Sequence, residues 1–218
     1  MVLRDIQLRE EYRSDRNDIV AEFFIPCLSN CIEYSRCVDF ISIQTLATIA
    51  MAFDNFISGK AKLRMITGHR FRISDLNIFT KLFSEKHTKG FEGMFIKNSK
   101  IQRLQDFVNN NQIELKIAIP NSEYVTNSFS ERIGIFVDAE GQAIAFTGTS
   151  RESFSSQTRD FESVDVFTSW SDDTRVKRKI QDFEDLWNNR TKNVEVYDFM
   201  YAEKNNLLKY SSEWAFDV

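Results

Sequence analysis

Phe129-Ser130-Glu131-Arg132-Ile133-Gly134-Ile135-Phe136-Val137-Asp138-Ala139-Glu140-Gly141-Gln142-Ala143-Ile144-Ala145-Phe146-Thr147-Gly148-Thr149-Ser150-Arg151-Glu152-Ser153-Phe154 is the stretch from which the rest of the chain can be read. Arg132–Asp138 and Gln142–Thr147 are strand-like, and Gly141 lies in the turn between them. Two apolar runs joined by so short a connection predict a β-hairpin, here followed by a small polar loop.

The stretch resembles the catalytic hairpin of the phospholipase D superfamily, in the form found in the nuclease-like domain fused to many bacterial restriction and repair helicases of the DEAD/DEAH type. That family reads Phe-His-x-Lys-Ile-Gly-Ile-Phe, a short turn, then Phe-Ser-Gly-Ser-x-Asn-Glu-Thr. In this chain Ser130 stands at the histidine position, Arg132 at the lysine position and Arg151 at the asparagine position. The frame is kept and the catalytic motif is degenerate. Further segments resemble the family in order: Phe24–Asn30 with Tyr34-Ser35-Arg36, Leu63–Gly68, Phe161–Phe167 with Ser169-Trp170, Phe183–Asn189, and Val194–Phe199. The strand that relatives spell Gly-Tyr-Phe-Ser-Ser is Val38-Asp39-Phe40-Ile41-Ser42 here, a departure.

The resemblance implies an α/β fold, a phospholipase D-like α/β/α sandwich with a mixed sheet. It implies one domain over 1–218, with a polar N-terminal arm at 1–18 and a C-terminal helix and tail at 200–218. In the superfamily a histidine attacks phosphorus, a second histidine from a repeat or a second subunit protonates the leaving oxygen, and lysine and asparagine hold the phosphoryl oxygens. One motif per chain therefore implies a homodimer. No Walker-type glycine loop occurs, so the helicase motor of the fused relatives is absent from this chain. The resemblance implies DNA and a helicase or another defence-system protein as candidate partners.

Composition bounds the reading. The 218 residues, 42% of them hydrophobic and 20 of them Phe, suffice for a sizeable core. Seven Gly and two Pro exclude a linker-rich chain. A net charge of −4 gives no global pull toward nucleic acid, so any DNA surface is a local patch. No apolar run approaches the roughly 20 residues that span a bilayer, and no membrane partner is expected. The charged residues through Asp18 do not read as a signal peptide, and the odd set Cys27, Cys31 and Cys37 fits reduced thiols in the cytoplasm. Their spacing matches no common zinc pattern; neither metal nor cofactor is expected.

Periodicity fills in the rest. Cys37–Ile43 reads as a buried strand, and Gln44–Ser58 as a helix stopped by Gly59. Lys62–Thr67 is a strand. A helix opened by Ser74 as N-cap follows, with Leu76, Phe79, Leu82 and Phe83 inward. Ser99–Asn109 is helical, and Ile113–Ile119 is a strand with one more solvated face. Val164–Phe167 is a strand, Asp172–Asn188 an amphipathic helix, Val194–Phe199 a strand and Tyr201–Tyr210 a terminal helix.

The candidate phosphate pocket comprises Ser130, Arg132, Thr149, Ser150 and Arg151, with Glu152 beside them in the motif. An arginine fork suits phosphate. Arg132 paired with Glu131 or Glu152 on a remodelled surface is the competing reading. His87-Thr88-Lys89 mimics the His-x-Lys spelling but lies in a Lys/Gly-rich loop, and is read as a decoy. His69 follows a strand at its carboxyl end, where α/β sheets place ligands, yet reads as a solvated loop histidine. Arg70-Phe71-Arg72 is a second basic cluster. Arg175, Lys177 and Lys179 form a possible DNA patch, against the default of a solvated helix face. Three functions remain open: a degenerate module binding DNA or a partner protein in a restriction, anti-phage or repair system; an active metal-independent phosphodiesterase with a rearranged or engineered site; and a protein-interaction scaffold.

Overall fold

The hairpin strands send alternate side chains to opposite layers, and that alternation sets the architecture. Along β6 (Ile133–Val137), Ile133 and Ile135 join one core while Phe136 joins the other; β7 (Ala143–Gly148) repeats this with Ala143 and Ala145 against Ile144 and Phe146. A computed structural model describes residues 2–52, 61–84, 99–121, 128–148 and 161–211.

The sheet they belong to has eight strands. β1 (Glu11–Arg13), β8 (Ser163–Thr168), β7, β6, β2 (Glu33–Val38), β3 (Lys62–Gly68), β5 (Ile113–Pro120) and β9 (Val194–Asp198) lie in that spatial order. β2, β3 and β5 run parallel; every other pair is antiparallel. On one face the larger core gathers α1 (Ile25–Asn30), α2 (Ile43–Ala52), α3 (Ile73–Ser84), α4 (Ser99–Asn109) and α6 (Phe199–Lys204). On the other face α5 (Asp173–Trp187) packs Val176, Phe183, Leu186 and Trp187 onto Cys37, Ile66 and Ile135. The result is the expected α/β/α sandwich around a mixed sheet.

α5 begins where Asp172 accepts a hydrogen bond from Arg175 N at 3.2 Å, an N-cap of a kind that contributes about 1 kcal/mol. It is pinned to the sheet through Arg64, which ion-pairs with Glu33 and Glu184 and lies over the rings of Phe183 and Trp187.

Several expectations need correction. The 1–18 segment is no mere solvated arm: β1 adds an edge strand against β8, and Leu3 and Tyr12 are buried. The strand expected at Cys37–Ile43 starts at Glu33 and stops at Val38. Its polar-looking members Ser35 and Arg36 are buried, and Ile43 already opens α2. Ser74 lies inside α3 rather than capping it. The helix expected over Tyr201–Tyr210 ends at Lys204, because a turn leads into β10 (Lys209–Ser211). β10 pairs in parallel with β4 (Arg70–Arg72), so the Arg70-Phe71-Arg72 cluster is a strand with Phe71 fully buried. Gly59, His87, Thr149, Ser150, Arg151 and Glu152 lie outside the described residues.

Candidate functional site at the open end of the hairpin

Strand direction decides what meets at this edge of the sheet. β2, β3 and β5 are parallel and end together; β6, antiparallel to β2, begins there, and β7 returns there. Ser130 and Arg132, just before β6, thus share an edge with Asp39 after β2 and with His69 after β3. This is the carboxyl edge, where open α/β sheets hold ligands.

Arg36 fixes the open end of the hairpin. Its side chain is fully buried, a rare state for arginine. One guanidinium nitrogen donates to the carbonyl of Arg132 at 2.8 Å and the other to the carbonyl of Gly148 at 3.2 Å, so one cation ties the start of β6 to the end of β7. The guanidinium lies 4.9 Å from the centre of the Phe146 ring. Gly134 makes this possible. It is the register partner of both Arg36 and Phe146, and a Cβ there would sit 2.0 Å from the ring tip. The glycine of the Ile-Gly-Ile-Phe run is therefore the seat of Phe146. Gly148 takes φ +123°, and a Cβ there would meet the Ser163 carbonyl at 2.1 Å, so the chain leaves β7 by a path closed to other residues.

Ser130 is exposed, while its neighbour Phe129 is anchored in the α5-side core. Glu131 turns its carboxylate back to accept from the Arg132 amide at 2.9 Å. Arg132 is exposed and makes no ion pair among the described residues. A cleft of about 540 Å³ opens beside them, lined by Ser128, Ser130, Glu131, Asp182, Asp185 and Arg190, among others. Asp185 is engaged by Arg190 at 3.0 Å.

A smaller hollow of about 70 Å³ lies on the other side of Ser130 and takes in Asp39, His69 and Arg70. His69 is buried at 4% exposure, which corrects the solvated-loop reading. Burial first, then the positive charges of Lys209 and Arg70, pull its pKa from 6.5 to about 4, so the ring is neutral at pH 7. The pairing of β4 with β10 causes this: Lys209 N donates to the His69 carbonyl at 2.8 Å and brings its ammonium along.

The possible DNA patch on α5 is internally compensated. Arg175 pairs with Asp172 at 3.3 Å and stacks over Phe167, Lys177 pairs with Asp173 at 2.6 Å, and Lys179 pairs with Asp182 at 3.8 Å. Sequence reasoning missed Arg36 and Asp39, and it set aside an approach of His69 to the site in favour of a solvated loop. An arginine inside an apolar strand pattern was the available signal for the first. Cys27, Cys31 and Cys37 are buried and unbridged, and no group of three metal-ligating side chains occurs among the described residues. No described helix is long and apolar enough to cross a membrane.

No protein-family model and no curated protein matches the chain. Solved structures do match. NucT from Helicobacter pylori is similar at TM-score 0.50 and 11% identity, over 86% of this chain and 97% of its own. Nuc from Salmonella typhimurium, a phospholipase D family member, gives 0.45 at 9% identity, over 86% and 96%. TrmBL2, an archaeal chromatin protein with a novel mode of DNA binding, gives 0.43 at 15% identity, over 85% of this chain and 54% of its own. The chain thus has a phospholipase D-like α/β fold, a mixed eight-stranded sheet flanked by helices, as in NucT.

Proposed function

We propose that the chain is a phospholipase D-like module that grips nucleic-acid phosphates at the carboxyl edge and has lost the covalent histidine chemistry of that superfamily. One observation carries the reading: position 130, where the superfamily's nucleophile is expected, lies exposed between cleft and hollow, and it is a serine. A serine attacks phosphorus only with a base at hand, and the Glu131 carboxylate is occupied by the Arg132 amide. Positive charge remains. Arg132 is exposed and unpaired among the described residues, and Arg151 supplies a second guanidinium by the same resemblance.

The resemblance to helicase-fused domains supports a role in a restriction, anti-phage or repair assembly. One motif per chain makes a homodimer the working form; a stable monomer by light scattering at micromolar concentration would remove that part of the reading.

The test of binding is fluorescence anisotropy on a labelled single-stranded DNA oligonucleotide at low salt. Affinity is expected to fall steeply as salt rises, because phosphate contacts release counterions. Arg132→Ala with Arg151→Ala is expected to weaken binding at least about tenfold and to flatten the log–log salt slope by about 2, near 1 for each lost phosphate contact. Unchanged affinity in the double variant sinks the pocket as the binding site. Little or no strand cleavage is expected, with or without divalent metal, since loss of a nucleophile removes a pathway rather than a contact.

A further inference from the structure

The hollow beside Ser130 has the features of a binding subsite, and a buried imidazole nitrogen is among the polar atoms around it. Nδ1 of His69 is buried and has no hydrogen-bond partner among the described residues. Buried polar atoms are nearly always satisfied, and an orphan costs about 1–3 kcal/mol. The hollow holds about 70 Å³, room for two waters at their roughly 30 Å³ each in the liquid, or for one tetrahedral oxyanion. Its charged surroundings come from separate elements: Arg70 from β4, Lys209 from β10 and Asp39 from the end of β2. Among the described residues, two cations and one carboxylate stand around it. In the tautomer that carries its single N–H at Nδ1, a neutral imidazole donates to an oxyanion without needing a proton from solvent.

We propose that this hollow is a phosphoryl-oxyanion subsite, in which His69 and Arg70 hold one phosphate of the ligand while the Ser130 hydroxyl contacts the same group. The subsite rests on the nucleic-acid reading above and extends it. It adds a second wall, from the β3–β4 corner, to the wall formed by Ser130 and Arg132. His69 is here a binding residue. Neutral and hemmed in by cations, it is a weak base, so the arrangement holds a phosphate rather than activating Ser130.

The chain has two histidines, which makes the test direct. His87→Gln leaves His69 as the one imidazole visible by nitrogen-15 NMR. Sulfate, a dianion throughout the range used, is titrated against chloride at matched ionic strength, with the backbone spectrum reporting that the protein stays folded. The ring signals of His69 are expected to move saturably with sulfate. Its titration midpoint should rise by about one unit or more, because an adjacent anion favours the charged imidazolium. Ring signals and a midpoint that follow sulfate no differently from chloride overturn the subsite. The oligonucleotide assay separates the two readings. If DNA binds and depends on Arg132 while His69 ignores sulfate, the subsite falls and the nucleic-acid reading stands. If His69 responds to sulfate while no oligonucleotide binds at any salt, the subsite stands and the nucleic-acid reading falls.

Discussion

Gly134→Ala is expected to destabilise the protein by about 4 kcal/mol and to lower its melting temperature by about 10 °C. The new Cβ would lie 2.0–2.7 Å from three atoms of the Phe146 ring. A ring tip at the surface would swing away at little cost. This one is fully buried, with Phe23, Phe24, Tyr34 and Phe136 around it, so it has nowhere to go. Overpacking of a tight core costs about 1–3 kcal/mol. Displacing the ring also loosens its contact with the buried Arg36 guanidinium, of a kind worth about 2 kcal/mol when desolvated. Arg36 in turn holds the carbonyls of Arg132 and Gly148, so damage at Gly134 reaches the carboxyl edge of the sheet. Thermal melts of Gly134→Ala, Phe146→Leu and the double variant check this. The double variant is expected to recover part of the loss, since contacting residues couple. A melting temperature within about 2 °C of the parent would refute the account of this glycine.

Acid is expected to weaken the fold through His69 by about 3 kcal/mol between pH 7 and pH 4. The folded ring has its pKa pulled from 6.5 to about 4. In the unfolded chain it takes a proton near its ordinary value. Between those two pH values the unfolded state therefore binds more protons, and stability falls with pH by up to about 1.4 kcal/mol per unit. Below about pH 4 the contribution has been lost in full. Asp75 acts in the opposite sense, because burial raises its pKa and the folded state then binds a proton more readily. The measurement is therefore a difference: urea stability of the parent and of His69→Gln across pH 4–7. The parent curve should be the steeper. Parallel curves would show that His69 is not held neutral in the folded protein.

What could be read from sequence, and what could not, divides along local and long-range causes. The hairpin was legible because alternation, a turn and a glycine at 141 all lie within a few residues, and Gly141 takes the turn at φ +80°. α5 was legible because its apolar stripe is local as well. β2 was misplaced because Ser35 and Arg36 look like surface residues, and only the distant carbonyls of Arg132 and Gly148 explain a buried cation. His69 was misread for the same reason. Its burial depends on Lys209, 140 positions away in the chain, and the brevity of β10 gives no pattern to detect.

The short pairing of β4 with β10 makes the carboxyl edge of the sheet answerable to the far end of the described chain. Lys209 closes the ladder on the His69 carbonyl, and the ladder is three register pairs long among the described residues. So short a zipper unfastens at lower free energy than the central strands, by local opening. The amide proton of Lys209 is then a sentinel: its exchange with solvent should be faster than that of β3 amides and should slow when the edge is occupied. Anything that tugs on the segment beyond Ser211, whether a tether, a protease cut or a neighbouring protein, acts on the floor beneath His69 without coming near the hairpin.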